Sequence, residues 1–327
     1  DSDRLGYASS HGIVELRAAI ATHYADWYGL EVDPHRVVVT VGASGGFTLA
    51  FLAAFDIGDR VALAVPGYPC YRNALEALGA QVVPLMTTLD DNFQPTIKLL
   101  EKAYAEGPLD GLVITSPSNP TGTMLDDDML ASIVAWCDER GIKVVSDEIY
   151  HGLTYGTAAT TTLAHSDDVL VVNSFSKYFS MTGWRLGYTA APEAIAKAID
   201  TIQSHSTSNA TSFAQYGGLA ALSGDPQATI DMAQEFDMRR QYMLGRFNSI
   251  ANIRVVEPHG AFYFLVNIGQ MGLGSVNFAE KLLSRMKVAL VPGIAFGADN
   301  TVRLSYACGL DVIKEGLDRF ETFCKSH

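Results

Sequence analysis

At 327 residues, with 48% hydrophobic and only 18% charged residues, the chain is long enough to bury one large core and a second, smaller one. A formal net charge of -13 at pH 7 repels nucleic-acid phosphates and anionic membranes, so neither partner is expected. Any anionic ligand then needs a locally built cationic or amide-lined site.

The chain begins at Asp1 without a methionine, which predicts a further segment before it, and residues 1–4 do not read as a signal peptide. The longest apolar stretch, near Phe47 to Phe55, is too short to span a bilayer. Cys70, Cys137, Cys308 and Cys324 are widely spaced and form no C-x-x-C pair, as expected of reduced thiols in a cytoplasm. In that compartment the Asn209-Ala-Thr sequon has no glycosylation role.

Short runs rich in Val, Ile and Leu recur at residues 37–41, 61–65, 81–85, 111–115, 143–146, 169–173 and 186–189, most of them separated by amphipathic helical patterns. Strands alternating with helices imply parallel pairing, because a crossover that returns the chain in the same direction is usually a helix. The expectation is an α/β fold with a mostly parallel seven-stranded sheet covered by helices. From about Asp237 the pattern changes to a helix, a strand pair within 253–266, a helix near 278–285 and a strand near 302–306. We read residues 1–236 as a large domain and 237–327 as a smaller α+β domain.

In such sheets, ligands gather at the carboxyl ends of the strands, and polar clusters follow the expected strands one after another. Gly42-Ala43-Ser44-Gly-Gly46 opens a helical run, where small residues let backbone amides and the helix dipole approach an anion. The same five residues satisfy G-x-S-x-G, the nucleophile elbow of serine hydrolases. Against that alternative, only one strand precedes Ser44, and it leaves Asp147, Lys177 and Arg303 without a task.

Tyr68, in Pro66-Gly-Tyr-Pro-Cys-Tyr71, can stack on an aromatic ligand or simply pack. Ser116-Pro-Ser-Asn-Pro-Thr-Gly122 is a proline-stiffened turn that can hold the Asn119 amide in one orientation, or a plain loop. Asp147 ends an apolar run, where an unpaired carboxylate is costly to desolvate; it can pair with a protonated ring nitrogen, or cap a following helix. Tyr150 lies three residues further on. Finally, Asn173-Ser-Phe-Ser-Lys177 places a lysine at a strand end, with Arg185 eight residues later. In a semi-enclosed pocket beside another cation such an amine loses its proton readily and can attack an aldehyde; the plain alternative is a solvated surface lysine.

Taken together, in this order, the clusters strongly resemble the fold type I pyridoxal-phosphate enzymes, in particular the class I and II aminotransferases. The resemblance runs from Tyr7-Ala-Ser-Ser-His-Gly-Ile-Val-Glu-Leu-Arg17 to Pro258-His-Gly-Ala-Phe-Tyr263, Val291-Pro-Gly-Ile-Ala-Phe-Gly297 and Val302-Arg-Leu-Ser-Tyr306. It implies pyridoxal 5'-phosphate as cofactor, Lys177 as the residue that carries it as a Schiff base, and Asp147 as the partner of its ring nitrogen. Tyr150 and Asn119 are similar to the donors to its phenolic oxygen, and Tyr68 to the stacking aromatic. Ala43, Ser44, Ser174, Ser176 and Arg185 would surround the phosphate, with Tyr7 reaching it from a partner subunit. Arg303, with Asn119, would bind the substrate, the arginine clamping the α-carboxylate in a bidentate fork.

The implied activity is ping-pong amino transfer from an L-amino acid to a 2-oxo acid by a homodimer with shared active sites. Residues 204–209 lack an arginine where aspartate-specific relatives carry one, which weakens an aspartate assignment. Two alternatives stay open on the same scaffold: β-elimination at a C–S bond, and a catalytically silent sensing domain.

Overall fold

A computed structural model describes residues 6–326; the expectation for residues 1–4 lies outside them. Each of the seven expected apolar runs forms a strand: β1 Val37–Thr40, β2 Arg60–Val65, β3 Gln81–Met86, β4 Gly111–Thr115, β5 Lys143–Asp147, β6 Leu170–Ser174 and β7 Gly187–Ala190. They join in one sheet in the order β1-β7-β6-β5-β4-β2-β3. Strands β2 to β6 pair in parallel. The exception is β7, which runs antiparallel to both β6 and β1. Residues 175–186, which lead into it, hold a 3-10 turn, Thr182–Trp184, in place of a crossover helix, so the chain returns in the opposite direction.

Both faces of this sheet are covered, which is why its strands read as nearly unbroken apolar runs. Val38 faces the cluster with Phe47, Phe51 and Leu75, from helices α2 (Gly42–Ala54) and α3 (Pro69–Ala77), and with Ile199 from α6 (Glu193–Ser206). Its neighbours Val37 and Val39 face Leu16, Ile20 and Tyr24 of α1 (Val14–Tyr28) and Ala214 of α7 (Ser212–Ser223). Leu100 of α4 (Ile97–Ala105) and Ile133 and Val134 of α5 (Asp127–Asp138) close the rest of that side over Leu112 and Val144. Each fully buried Leu, Val or Phe contributes about 1.5–3 kcal/mol by leaving water.

A second, antiparallel sheet, in the order β10-β11-β9-β8, comprises β8 Arg254–Val255, β9 Tyr263–Asn267, β10 Val291–Pro292 and β11 Thr301–Ser305. Helices α8 (Gln227–Asn248), α9 (Ser275–Met286) and α10 (Leu310–Lys325) pack on it through Phe247, Phe278, Phe320 and Phe323. The expected change at Asp237 falls inside α8, which runs through it unbroken. Strand β10 and helix α10 go beyond the elements expected from sequence. The two sheets are tied together just after β5: Thr154 bridges Gly260, and Tyr155 donates its amide to the His259 carbonyl at 2.8 Å. No helix among the described residues is long and apolar enough to cross a membrane.

Candidate active site

The carboxyl ends of β1, β2, β4, β5 and β6 converge on a cavity of about 360 Å³, which two strands of the second sheet, β9 and β11, close with Tyr263 and Arg303. All but two of the site residues expected from sequence line it: Ala43, Ser44, Tyr68, Asn119, Asp147, Tyr150, Ser176, Lys177, Arg185 and Arg303.

The β1–α2 junction is built for close approach. Gly42 has a φ of +68°, and a Cβ there would lie 2.7 Å from Arg185 Nη2. A Cβ on Gly187 would lie 2.7 Å from the Gly42 carbonyl carbon and 2.8 Å from the Ala43 nitrogen. The two bare α-carbons therefore let the start of α2 sit against the β6–β7 connection, with Arg185 across its end. No side chain caps α2, so its first amides keep unused donors beside a guanidinium, a ready site for an anion. Ser44 stands exposed on that first turn and Ser176 is buried behind it.

Lys177 lies in the connection after β6, half-buried, with its Nζ 5.7 Å from the ring centre of Phe262 and 6.0 Å from that of Tyr150. Burial lowers the proton affinity of its amine; the Asp147 carboxylate opposes this, and the positive charges of Arg303 and Arg185 reinforce it.

Asp147, the last residue of β5, is 4% exposed. No helix follows it; Oδ1 instead accepts the Ile149 amide at 3.0 Å, and Oδ2 accepts the Tyr71 hydroxyl. Desolvation pushes its pKa up to about 6, against the pull of those two hydrogen bonds and of Lys177. The Tyr71 oxygen in turn accepts from Thr115 Oγ1 at 3.2 Å. Tyr71 escaped the sequence reading. Its signal was its place three residues after Tyr68, on a helix that Pro69 starts, which turns the ring toward the sheet.

Across the cavity, Arg303 Nη1 donates to Asn119 Oδ1 at 2.8 Å, and the guanidinium lies 4.3 Å from the ring centre of Tyr263 and 4.9 Å from that of Phe296. Its buried Nε has no hydrogen-bond partner. The Tyr150 hydroxyl sits 3.1 Å from that of Tyr263. Tyr263 is a second residue that sequence reasoning missed, since within Gly260-Ala-Phe-Tyr263 it reads as core packing. Tyr68, 37% exposed, meets Tyr71 edge-on at 5.5 Å.

Two of the expected site residues stand apart from the cavity lining of the single chain. Ser174 does not line the cavity: its hydroxyl lies 2.9 Å from the Leu186 carbonyl and 2.8 Å from Ser176 Oγ, and accepts the Ser176 amide. It braces Ser176. Tyr7 also stands away from the cavity, 92% exposed in the single chain. No histidine is among the residues lining the cavity to serve Ser44 as base, which does not favour the elbow alternative.

Residues 1–320 match the family model described as aminotransferase class I and II. The chain is 41% identical to the valine–pyruvate aminotransferase of Mycobacterium tuberculosis, covering 99% of this chain and 84% of that protein. It is 39% identical to a probable aspartate/prephenate aminotransferase of Aquifex aeolicus, over 96% of this chain and 82% of the relative. Among solved structures, an aromatic aminotransferase from Pyrococcus horikoshii superposes with a TM-score of 0.96 at 33% identity, covering all of this chain and 89% of that one. An aminotransferase from Mycobacterium tuberculosis superposes with a TM-score of 0.94 at 41% identity, covering 99% of this chain and 84% of that one. These relatives do not favour the β-elimination, sensing-domain or hydrolase alternatives.

Proposed function

The chain belongs to the class I and II aminotransferases, enzymes that transfer amino groups with pyridoxal 5'-phosphate, and on that premise we propose that Lys177 holds this cofactor and moves the proton during transfer. The observation that carries the assignment is the shared cavity: Lys177 and Asp147 line it together, with Arg185 at one helix terminus and Arg303 opposite. The chemistry of the donors fits such a group. The uncapped start of α2 and Arg185 suit a phosphate, the buried Asp147 suits a protonated ring nitrogen, Tyr150 and Asn119 suit the phenolic oxygen, and Tyr68 suits the ring face. When bound, the cofactor supplies an electron sink that makes the Cα–H bond of an attached amino acid acidic.

The protein's own residues then divide the work. Arg303 binds the α-carboxylate; its buried Nε and stacked guanidinium leave donors to spare. Asp147 keeps the ring nitrogen protonated, as its burial and its bond from Tyr71 hold it in place. Lys177 Nζ, whose burial makes it easier to deprotonate, is the amine placed to hold and move the Cα proton, acting as base and then as acid. These roles suit a ping-pong transfer from an L-amino acid to a 2-oxo acid, for which the cofactor would carry the amino group between the two half-reactions.

This reading extends to the assembly and the compartment: a cytoplasmic homodimer whose shared active sites bring Tyr7 of each copy, exposed in the single chain, to the other's phosphate. The two sheets would correspond to two domains joined along α8, the boundary lying near residue 236.

The test is chemical. Protein incubated with pyridoxal 5'-phosphate and then reduced with borohydride should carry the added mass on the peptide containing Lys177. Lys177→Ala should lose both that label and nearly all amino transfer. A Lys177→Ala protein with normal turnover ends the assignment.

A further inference from the structure

Tyr150 and Tyr263 come from different sheets, one following β5 and the other starting β9, yet their hydroxyls meet at 3.1 Å and both side chains are buried. A tyrosine hydroxyl has one proton to give, so the pair has a direction. If Tyr150 donates to Tyr263, it has nothing left for a ligand oxygen. If Tyr263 donates to Tyr150, the Tyr150 proton is free to point into the cavity. Resting on the cofactor assignment above, we infer that Tyr263 is a positioning residue whose hydroxyl donates to Tyr150 and so aims the Tyr150 proton at the cofactor's phenolic oxygen.

Two features of the structure set that direction. In the ladder between β9 and β11, Arg303 is opposite Leu265, which places Tyr263 diagonally across from Arg303 on the same face. The guanidinium consequently covers the Tyr263 ring at 4.3 Å, and a positive charge over a phenol strengthens its O–H as a donor. On the other side, burial, the neighbouring Tyr263 and the Asp147 carboxylate push the Tyr150 phenol well above its ordinary range against the pull of Arg303; burial raises the Tyr263 phenol too, but there the contact with Tyr150 and the charge of Arg303 both oppose it. The more acidic hydroxyl of a pair donates and the more basic one accepts. A donor that is itself receiving a hydrogen bond is also strengthened, because hydrogen bonds in a chain polarise one another. Tyr263, which lines the cavity, therefore couples the residue proposed to hold the substrate carboxylate to the residue proposed to hold the cofactor oxygen.

The test reads the visible absorbance of the cofactor-loaded enzyme as a function of pH. Tyr263→Phe keeps an aromatic ring under Arg303 and removes only the hydroxyl. With a weaker donor at Tyr150, the phenolic oxygen tolerates negative charge less well, so the chromophore should keep its proton to higher pH, by about half to one pH unit. Affinity for an unreactive carboxylate such as 4-methylpentanoate should stay within about twofold, since a phenylalanine ring still supports the guanidinium.

Tyr150→Phe should move the midpoint further in the same direction, and adding Tyr263→Phe to it should change nothing more. A fluorinated, more acidic tyrosine at position 263 preserves the fold and should move the midpoint down. A Tyr263→Phe midpoint equal to that of the parent, or shifts that simply add in the double variant, overturns the inference while leaving the Lys177 assignment intact. A loaded parent protein with no visible band reducible by borohydride would instead overturn the assignment itself, and this inference with it.

Discussion

Asp147→Asn tests the burial of the site carboxylate on the ligand-free protein, with no turnover needed. Desolvation raises Asp147 from 3.8 to about 6 in the fold, a shift of roughly two pH units, or about 3 kcal/mol at 1.36 kcal/mol per unit. Because the folded value is the higher one, the stabilising contribution is fully present below pH 3.8 and is lost as pH rises through 6. Above that pH the ligand-free fold therefore carries an ionised, buried carboxylate at a cost.

Asparagine removes the charge but spoils one of the two acceptor contacts, to Tyr71 or to the Ile149 amide, which costs about 1 kcal/mol. Urea unfolding of the ligand-free protein at pH 8 should thus find Asp147→Asn more stable by about 1–2 kcal/mol, with the advantage gone near pH 4. Cofactor affinity should move the other way, falling about 10- to 100-fold with the loss of a charge-assisted bond worth roughly 1.5–3 kcal/mol. If the variant is less stable than the parent at pH 8, or the two share one pH profile, burial of Asp147 is not held in reserve for a cationic partner and the argument fails.

Arg303→Lys keeps the charge but loses the fork, so steady-state kinetics should show an amino-acid KM about 10- to 100-fold higher, with cofactor affinity by fluorescence titration unchanged. An unaltered KM would remove Arg303 from the carboxylate. Gly187→Ala drives a Cβ into backbone atoms of Gly42 and Ala43 and should cost about 1–3 kcal/mol in chemical denaturation. The same change should weaken cofactor binding, because it wedges α2 away from Arg185; a variant that binds the cofactor normally would show that the tight junction plays no part in holding the phosphate.

Much of the large sheet was legible because each strand is a short apolar run and most end at or beside a glycine, proline or hydroxyl residue, and polar residues mark the strand ends where Ala43, Asn119, Asp147 and Lys177 gather. Direction was less legible. Nothing in the apolar run of β7 says that a 3-10 turn, not a crossover helix, precedes it, and that turn is what reverses the strand and lays Arg185 over Gly42. Helix α10 was readable in principle, since Ile313, Leu317, Phe320 and Cys324 recur at helical spacing and are buried, whereas β10 has only two residues and no pattern to find.

The site residues missed, Tyr71 and Tyr263, share one trait: both sit in apolar surroundings where a pattern of hydrophobicity sees only the ring. Their work is done by the hydroxyl at its tip, whose partners Asp147 and Tyr150 are distant in sequence. Ser174 shows the converse. Its hydroxyl looked available, but at the last ladder position of β6 it is spent on the Leu186 carbonyl and on Ser176, while Ser176, two residues on, lines the cavity.

The charge around the cavity explains why an acidic protein carries such a site. With a formal net charge of -13, most of the surface repels anions, yet Lys177, Arg185 and Arg303 line one cavity with Asp147 as the carboxylate among them. Three cations facing one anion in a partly desolvated space repel one another, and that repulsion helps lower the proton affinity of Lys177. A phosphate at Arg185 and a carboxylate at Arg303 would relieve it. Filling those two positions would also remove the repulsion that favours a neutral Lys177, so each anion that binds should make the lysine somewhat more basic. The geometry thus ties the readiness of the amine as a nucleophile to an unfilled site and its strength as a base to a filled one, an order that matches the sequence of tasks proposed for it.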